Sequence, residues 1–256
     1  ISIAFGFSPG IATAVGGIVT AIGGIRGCLI ILLIYTVILW ILAQFLPETA
    51  HELHKDALQG KKIVHGYMRQ FKDPYVMLHA ALAGLTTASI YVFVTLSPFI
   101  AQSVIGLSPE GFGLWALIPS FGLATGGVLV HRLSHKNPRM MILSGMLIFL
   151  IALLIQSLCF ANHLITVWSL FLPAYFLYIG NNVIWSHALA HGLSEATDKP
   201  NASAVMQFIN FGMAVVGVFL VQTILPTERM LLPAAFGVIM ILMFAVWLKL
   251  RAHRPK

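Results

Sequence analysis

Eight uninterrupted apolar stretches decide what this chain can become. They run over residues 1–22, 28–46, 75–104, 111–131, 139–160, 164–189, 201–224 and 230–248, and a helix of about 20 apolar residues is enough to cross the hydrocarbon core of a bilayer. Lipid leaves the backbone only two ways to satisfy its own hydrogen bonds, the helix and the closed barrel. Barrel strands alternate apolar and polar residues; these runs do not alternate. The expected fold is therefore an all-α integral membrane protein with eight spans. Composition agrees, since only 9% of the residues are charged and the mean hydropathy is +0.91, against about 25% charge in ordinary soluble domains.

The charges that remain give an orientation. Lys55, Lys61, Lys62, Arg69 and Lys72 fall in the connection at 47–74, Arg132, Lys136 and Arg139 in a later one, then Lys199, and finally Lys249, Arg251, Arg254 and Lys256. These connections alternate along the chain and so share one side, while the other side has only Arg26 and Arg229. The positive-inside rule places both termini and the 47–74 connection in the cytoplasm. The net charge of +7 is then a topology signal. A nucleic-acid partner is not expected, because the basic residues sit beside helix ends and not on one folded face. Cys28 and Cys159 lie among apolar neighbours and read as packed thiols.

The 47–74 connection is far longer than the others and carries Glu48, Glu52, Asp56 and Asp73, half of all the acidic residues. Within it, Glu52 to Phe71 places Leu53, Ala57, Ile63, Tyr67 and Phe71 at spacings compatible with an amphipathic helix on the membrane surface. An ordinary solvated helix fits the spacing equally. The chain divides into 1–46, a linker at 47–74, and 75–256, with two spans before the linker and six after it.

Several stretches carry a family resemblance. Ser8, Pro9, Gly10, Gly16 and Gly17 resemble the glycine- and proline-rich antiporter motif in the fifth helix of drug–proton antiporters. Gly24-Ile25-Arg26-Gly27, Leu46-Pro47-Glu48-Thr49, Ser97-Pro98-Phe99-Ile100 and Gly106 to Gly113 are similar, in order and spacing, to turns of the Bcr/CflA drug-resistance family of the major facilitator superfamily. Gly127, Leu129, His131, Arg132 and Lys136 resemble that superfamily's cytoplasmic loop motif, with His131 where the motif has Asp and Ser134 where it has Gly. The resemblance implies helices 5–12 of a twelve-helix transporter, the first four preceding Ile1. Residues 1–46 would then be the last two helices of the N-terminal half and 75–256 the C-terminal six-helix half. It also implies proton-coupled efflux of small hydrophobic or cationic drug-like molecules by alternating access, in the inner (cytoplasmic) membrane, by a monomer without a cofactor.

Polar side chains inside spans are costly unless they face protein or water, which makes them candidates for the substrate cavity. Thr87, Tyr91 and Thr95 are spaced by four on one helix face; Asn181, Asn182 and Trp185 lie in the sixth span and Gln207 and Asn210 in the seventh. Hydrogen bonding between helices is the competing role for each Asn and Gln. Gly10, Ala14, Gly16 and Gly17 offer small faces for close helix approach, and Pro119 and Pro173, near the middles of their spans, are expected to kink them. No Asp or Glu falls inside a span, so a coupling carboxylate is expected outside this chain. His79 and His187 remain as titratable groups, His79 as an interfacial anchor.

Two other classes compete with the transporter reading. His131/His135 and His187/His191 are i, i+4 pairs of the kind used in membrane metal enzymes such as desaturases, but no His-x-x-His-His box accompanies them and only Glu195 stands nearby. Iron content would separate that reading from a transporter. A structural membrane subunit is the other, separated by an efflux assay.

Overall fold

A computed structural model describes residues 2–47, 60–223 and 230–252; the side chains of residues 2–9 and 60–63 are outside the description. Among the described residues the fold is helical with no strand. The first helical run, Ser2–Ala43, holds two helices, because Gly24 leaves the helical region at φ 57° and ψ −156°, a conformation open mainly to glycine. The chain folds back there. Thr20 Oγ1 lies 3.2 Å from Cys28 Sγ, whereas eight residues along a straight helix would separate them by about 12 Å. We number these helices α1 (2–23) and α2 (25–43). Both expected N-terminal spans are present, as a hairpin, and both thiols of the chain are free.

The remaining helices are α3 (Gly60–Phe71), α4 (Pro74–Phe99), α5 (Pro109–Trp115), α6 (Leu117–Arg132), α7 (Pro138–Ala161), α8 (Val167–Ser194), α9 (Lys199–Thr223) and α10 (Leu231–Ala252). Helix starts follow from local chemistry. Asp73, Ser108 and Asn137 each accept backbone N–H groups of the first turn, and each is followed by proline at the first helical position. That pairing satisfies orphan donors and removes one that would have had no partner. Thr166 and Ser169 form a reciprocal capping box at the start of α8.

Proline acts differently from the sequence expectation. In the 109–132 span the helix breaks at Ala116, and Pro119 falls in the first turn of α6, where its missing N–H costs nothing. Pro173 lies within α8, which continues through it. Pro98, by contrast, is followed at once by a π-helical turn over Ile100–Val104, the wide-turn geometry expected where a carbonyl loses its usual donor.

Helix α4 is central. It packs against α8, α9 and α10, while α8 also packs against α6 and α7. Glycines set the closest approaches. A Cβ on Gly180 would lie 2.5 Å from the Gly145 carbonyl oxygen, and one on Gly126 would lie 2.9 Å from Asn182 Cβ. At the end away from the basic connections, Trp115 meets Trp168 edge to face with centroids 4.9 Å apart, and Phe93 meets Tyr178 at 5.7 Å. Helix α1 packs on α5 and α6, whereas α2 is exposed along almost its whole length. Of the linker, residues 48–59, including Glu48, Glu52, Leu53 and Asp56, lie outside the described residues; α3 lies against α9.

Candidate functional site

The polar residues singled out from sequence resolve into two populations. In the first, an amide bonds one helix to another. Thr87 Oγ1 on α4 donates to Asn210 Oδ1 on α9 at 2.6 Å, and Asn210 Nδ2 donates to Gln207 Oε1 at 3.0 Å. Two residues along α4, Ser89 Oγ accepts from Asn181 Nδ2 of α8 at 2.8 Å. Asn182 Nδ2 donates to the Leu123 carbonyl of α6 at 2.6 Å, and its Oδ1 accepts from Ser186. Thr87, Asn181 and Asn210 are buried. For these residues the interhelical role is the one the geometry displays.

The second population faces open space. Tyr91 is exposed and, with Phe211, Val215 and Gln222, lines a cleft of about 430 Å³ between α4 and α9. Thr95 is half-buried with its hydroxyl donated to the Tyr91 carbonyl at 2.8 Å, Gln207 is exposed, and Trp185 is half-buried against the core. A pair absent from the sequence reading joins them. Thr125 Oγ1 on α6 lies 3.1 Å from Tyr175 Oη on α8, both outside the fully buried core. The available signal was modest: Thr125 sits one residue before Gly126, whose lack of a side chain brings α6 onto α8.

If the Thr87–Asn210 bond fastens α4 to α9, a double-mutant cycle of Thr87→Val and Asn210→Leu will show coupling. The expected value is about 0.6 kcal/mol and at most about 1.7, the range for polar contacts between membrane helices. Equilibrium unfolding in detergent micelles measures it; strictly additive effects would remove the fastener.

The glycine- and proline-rich segment forms the other part of the site. Gly10 is buried against Ser120 and Leu117 of α6, and a Cβ on Gly17 would lie 2.7 Å from the Pro109 carbonyl oxygen and 3.3 Å from Gly113 Cα. From the other side, a Cβ on Gly113 would come within 3.0 Å of the Thr13 carbonyl oxygen and 3.2 Å of Ala14 Cα. Backbone thus meets backbone along one antiparallel crossing. Gly16 is not part of it. A Cβ there meets nothing within 4 Å, and its carbonyl accepts from Thr20 Oγ1 at 2.7 Å inside the hairpin. Side chains of Ser8 and Pro9 lie outside the described residues.

At the basic end, His131 and Arg132 occupy the last turn of α6, exposed, where positive charge suits the helix dipole. Lys136 N–H donates to the Leu133 carbonyl at 2.9 Å, closing a plain turn. Gly127 is clear of close contact, with Asn182 Nδ2 3.7 Å from the Cβ position; the tight approach belongs to Gly126. Among the described residues no three His, Cys, Asp or Glu side chains come together as a metal set.

His79 is corrected by the structure from an interfacial anchor to a buried residue. Its Nδ1 donates to the Tyr75 carbonyl at 2.9 Å, and its ring lies 6.4 Å from that of His191. The physical reason is Gly192: a Cβ there would stand 2.9 Å from His79 Cβ, so its absence lets α8 close over the imidazole.

Seven described helical runs are long and apolar enough to cross a membrane, the first of them being the α1–α2 hairpin over Gly10–Ala43. The family model described as Major Facilitator Superfamily matches residues 1–221, from the hairpin through most of α9. With spans of this length and a match over most of the sequence, the chain belongs to the Major Facilitator Superfamily, a family of multi-pass membrane transporters.

Proposed function

We propose that the transport is proton-coupled efflux of small hydrophobic or cationic drug-like molecules, as in the Bcr/CflA-type antiporters, by alternating access in the inner membrane. In this reading the protein is a monomer when full length, and residues 1–46 close the N-terminal half. Residues 47–74 are the cytoplasmic linker and 75–256 the C-terminal half, with both ends of this chain cytoplasmic. The single observation that carries the reading is the crossing of α1 on α5 and α6. It joins a helix before the linker to the span after α4 through Gly10, Gly17 and Gly113, small residues that let helix backbones approach closely, as a seam that closes in one state of alternating access requires.

The open face supports a permissive ligand. Tyr91, Phe211 and Phe219 provide ring faces on the cleft that accept apolar or cationic groups without one fixed geometry. Within the described spans the acidic residue is Glu110, in the first turn of α5 at one end of its span and not in its interior; in this reading the coupling carboxylate is a group not contained in residues 1–256.

Export by the full-length protein in proteoliposomes with an imposed proton gradient tests this. Accumulation of a lipophilic cation should fall at least about tenfold when a protonophore collapses the gradient, a difference of about 1.4 kcal/mol in driving force. Export unchanged by the protonophore would overturn the coupling. Tyr91→Ala should weaken substrate affinity about fivefold without lowering thermal stability, the loss expected for one cation–π contact of about 1 kcal/mol.

A further inference from the structure

Helix α3 carries three different faces along only three turns. Gly66 and Gln70 face the protein: a Cβ on Gly66 would lie 2.5 Å from Asn201 Nδ2 of α9, and Gln70 is 2% exposed. Val64, Tyr67, Met68 and Phe71 recur at i, i+3, i+4 and i+7 and form a continuous apolar stripe. Among the described residues this stripe is left largely exposed, with Val64 at 61%, Met68 at 52%, and Tyr67 and Phe71 each at 37% exposure. His65, Arg69 and Lys72, at i, i+4 and i+7, form a third stripe, also exposed. A helix packed on its own protein and otherwise solvated needs only two faces.

We propose that the apolar stripe of α3 docks into the cytoplasmic leaflet of the bilayer and that the Arg69 and Lys72 stripe binds the phosphates of anionic lipid headgroups. Position supports this. Helix α4, a membrane span, begins at Pro74, and Asp73 caps it by accepting from the Tyr75 and Val76 N–H groups at 2.9 and 3.3 Å. Only Lys72 and Asp73 separate the two helices, so α3 is tied to the boundary where headgroups lie. Phe71 packs edge-on against Phe208 of α9, with centroids 6.3 Å apart, and Phe208 is itself exposed at 71%. The stripe thus meets an exposed apolar side chain of another span. Charge complementarity selects the occupant, since an apolar stripe flanked by basic residues is the pattern by which interfacial helices hold anionic membranes.

The test uses the full-length protein with Cys28 and Cys159 replaced by Ser. An environment-sensitive fluorophore is placed singly at Val64→Cys, Met68→Cys or His65→Cys. Each labelled protein is reconstituted in zwitterionic vesicles and in vesicles with added phosphatidylglycerol, each with and without lipids spin-labelled near the headgroup. Quenching at positions 64 and 68 should exceed that at 65 and should rise with phosphatidylglycerol. Arg69→Gln and Lys72→Gln should each lower the docked-to-undocked ratio about fivefold in anionic vesicles. A blue-shifted probe at 64 and 68 without lipid quenching would mean that protein covers the stripe, and would overturn the proposal. Quenching indifferent to lipid charge and to both variants would overturn the headgroup part. The docking rests on the cytoplasmic placement of α3 in the proposed function, and that placement fails separately: an impermeant thiol reagent labelling Val64→Cys from outside intact cells would exclude it.

Discussion

Replacing Gly17 by leucine is expected to lower export by the full-length protein at least about tenfold, while the same replacement at the adjacent Gly16 leaves it near wild type. The two glycines are neighbours in a motif that treats them alike, but their surroundings differ. At Gly17 a new Cβ meets the Pro109 carbonyl oxygen at 2.7 Å and Gly113 Cα at 3.3 Å. Both are backbone atoms and cannot swing aside as a flexible side chain would. Inserting bulk at such a contact costs about 1–3 kcal/mol and displaces the helix, and a displacement of α1 from α5 reaches the crossing that the proposed alternating access uses. At Gly16 nothing lies within 4 Å, so only the small difference in helix propensity remains, which favours the variant. Transport initial rates normalised to the folded fraction, taken from fluorescence-detected size exclusion, check the pair. Equal loss at both positions would mean that helix flexibility, and not the crossing, is what the glycines provide.

The largest loss of stability is expected from Gly145→Val. Helices α7 and α8 approach so closely that a Cβ on Gly145 would lie 2.9 Å from the Gly180 carbonyl oxygen, and one on Gly180 would lie 3.1 Å from the Phe149 backbone nitrogen. Each glycine faces the backbone of the other helix, so there is no direction in which the added group can be placed. Phe149, fully buried beside this contact and edge to face with Phe236 of α10 at 5.9 Å, would be displaced as well. The expected cost is at the upper end of overpacking, about 3 kcal/mol, enough to leave a marginally stable membrane protein mostly unfolded after extraction. Gly237→Ala, where a Cβ meets nothing within 4 Å, serves as the control. Thermal unfolding in detergent measures both.

Helix existence was legible because the apolar runs admit no other structure in lipid, and several boundaries were legible because a capping side chain stands directly before proline at 73–74, 108–109 and 137–138. The hairpin at Gly24 was expected as a short turn and is one. Other features were hidden in the sequence for a common reason: they depend on what lies across the contact. Gly16 and Gly17, or Gly126 and Gly127, look equivalent until the partner backbone is in place. His79 reads as interfacial from its distance to the helix end, and the close approach of another helix at Gly192 is what buries it. Pro119 stands near the middle of an apolar run, yet the break at Ala116 makes it a first-turn residue. The polar cluster on α4 could be read as cavity lining, but the acceptor of the Thr87 hydroxyl stands 123 residues away, at Asn210. Thr125 and Tyr175 carried no spacing signal at all, being paired across α6 and α8.

The hydrogen bonds of α4 have a consequence for selectivity. Thr87, Asn181 and Asn210 tie α4 to its neighbours and Asn182 ties α8 to α6, so most of the directional groups of this part of the chain are already committed to the protein itself, the buried Asn181 Oδ1 being the exception. In the proposed function, a molecule arriving at the cleft between α4 and α9 meets the rings of Tyr91, Phe211 and Phe219, aliphatic side chains, and the Gln222 amide. Rings discriminate by size and polarizability, and hardly at all by the position of a donor or an acceptor. Tolerance toward chemically unrelated guests would then arise as a by-product of how the scaffold keeps itself together in a medium without water, and narrowing it would require freeing an amide that the fold now uses.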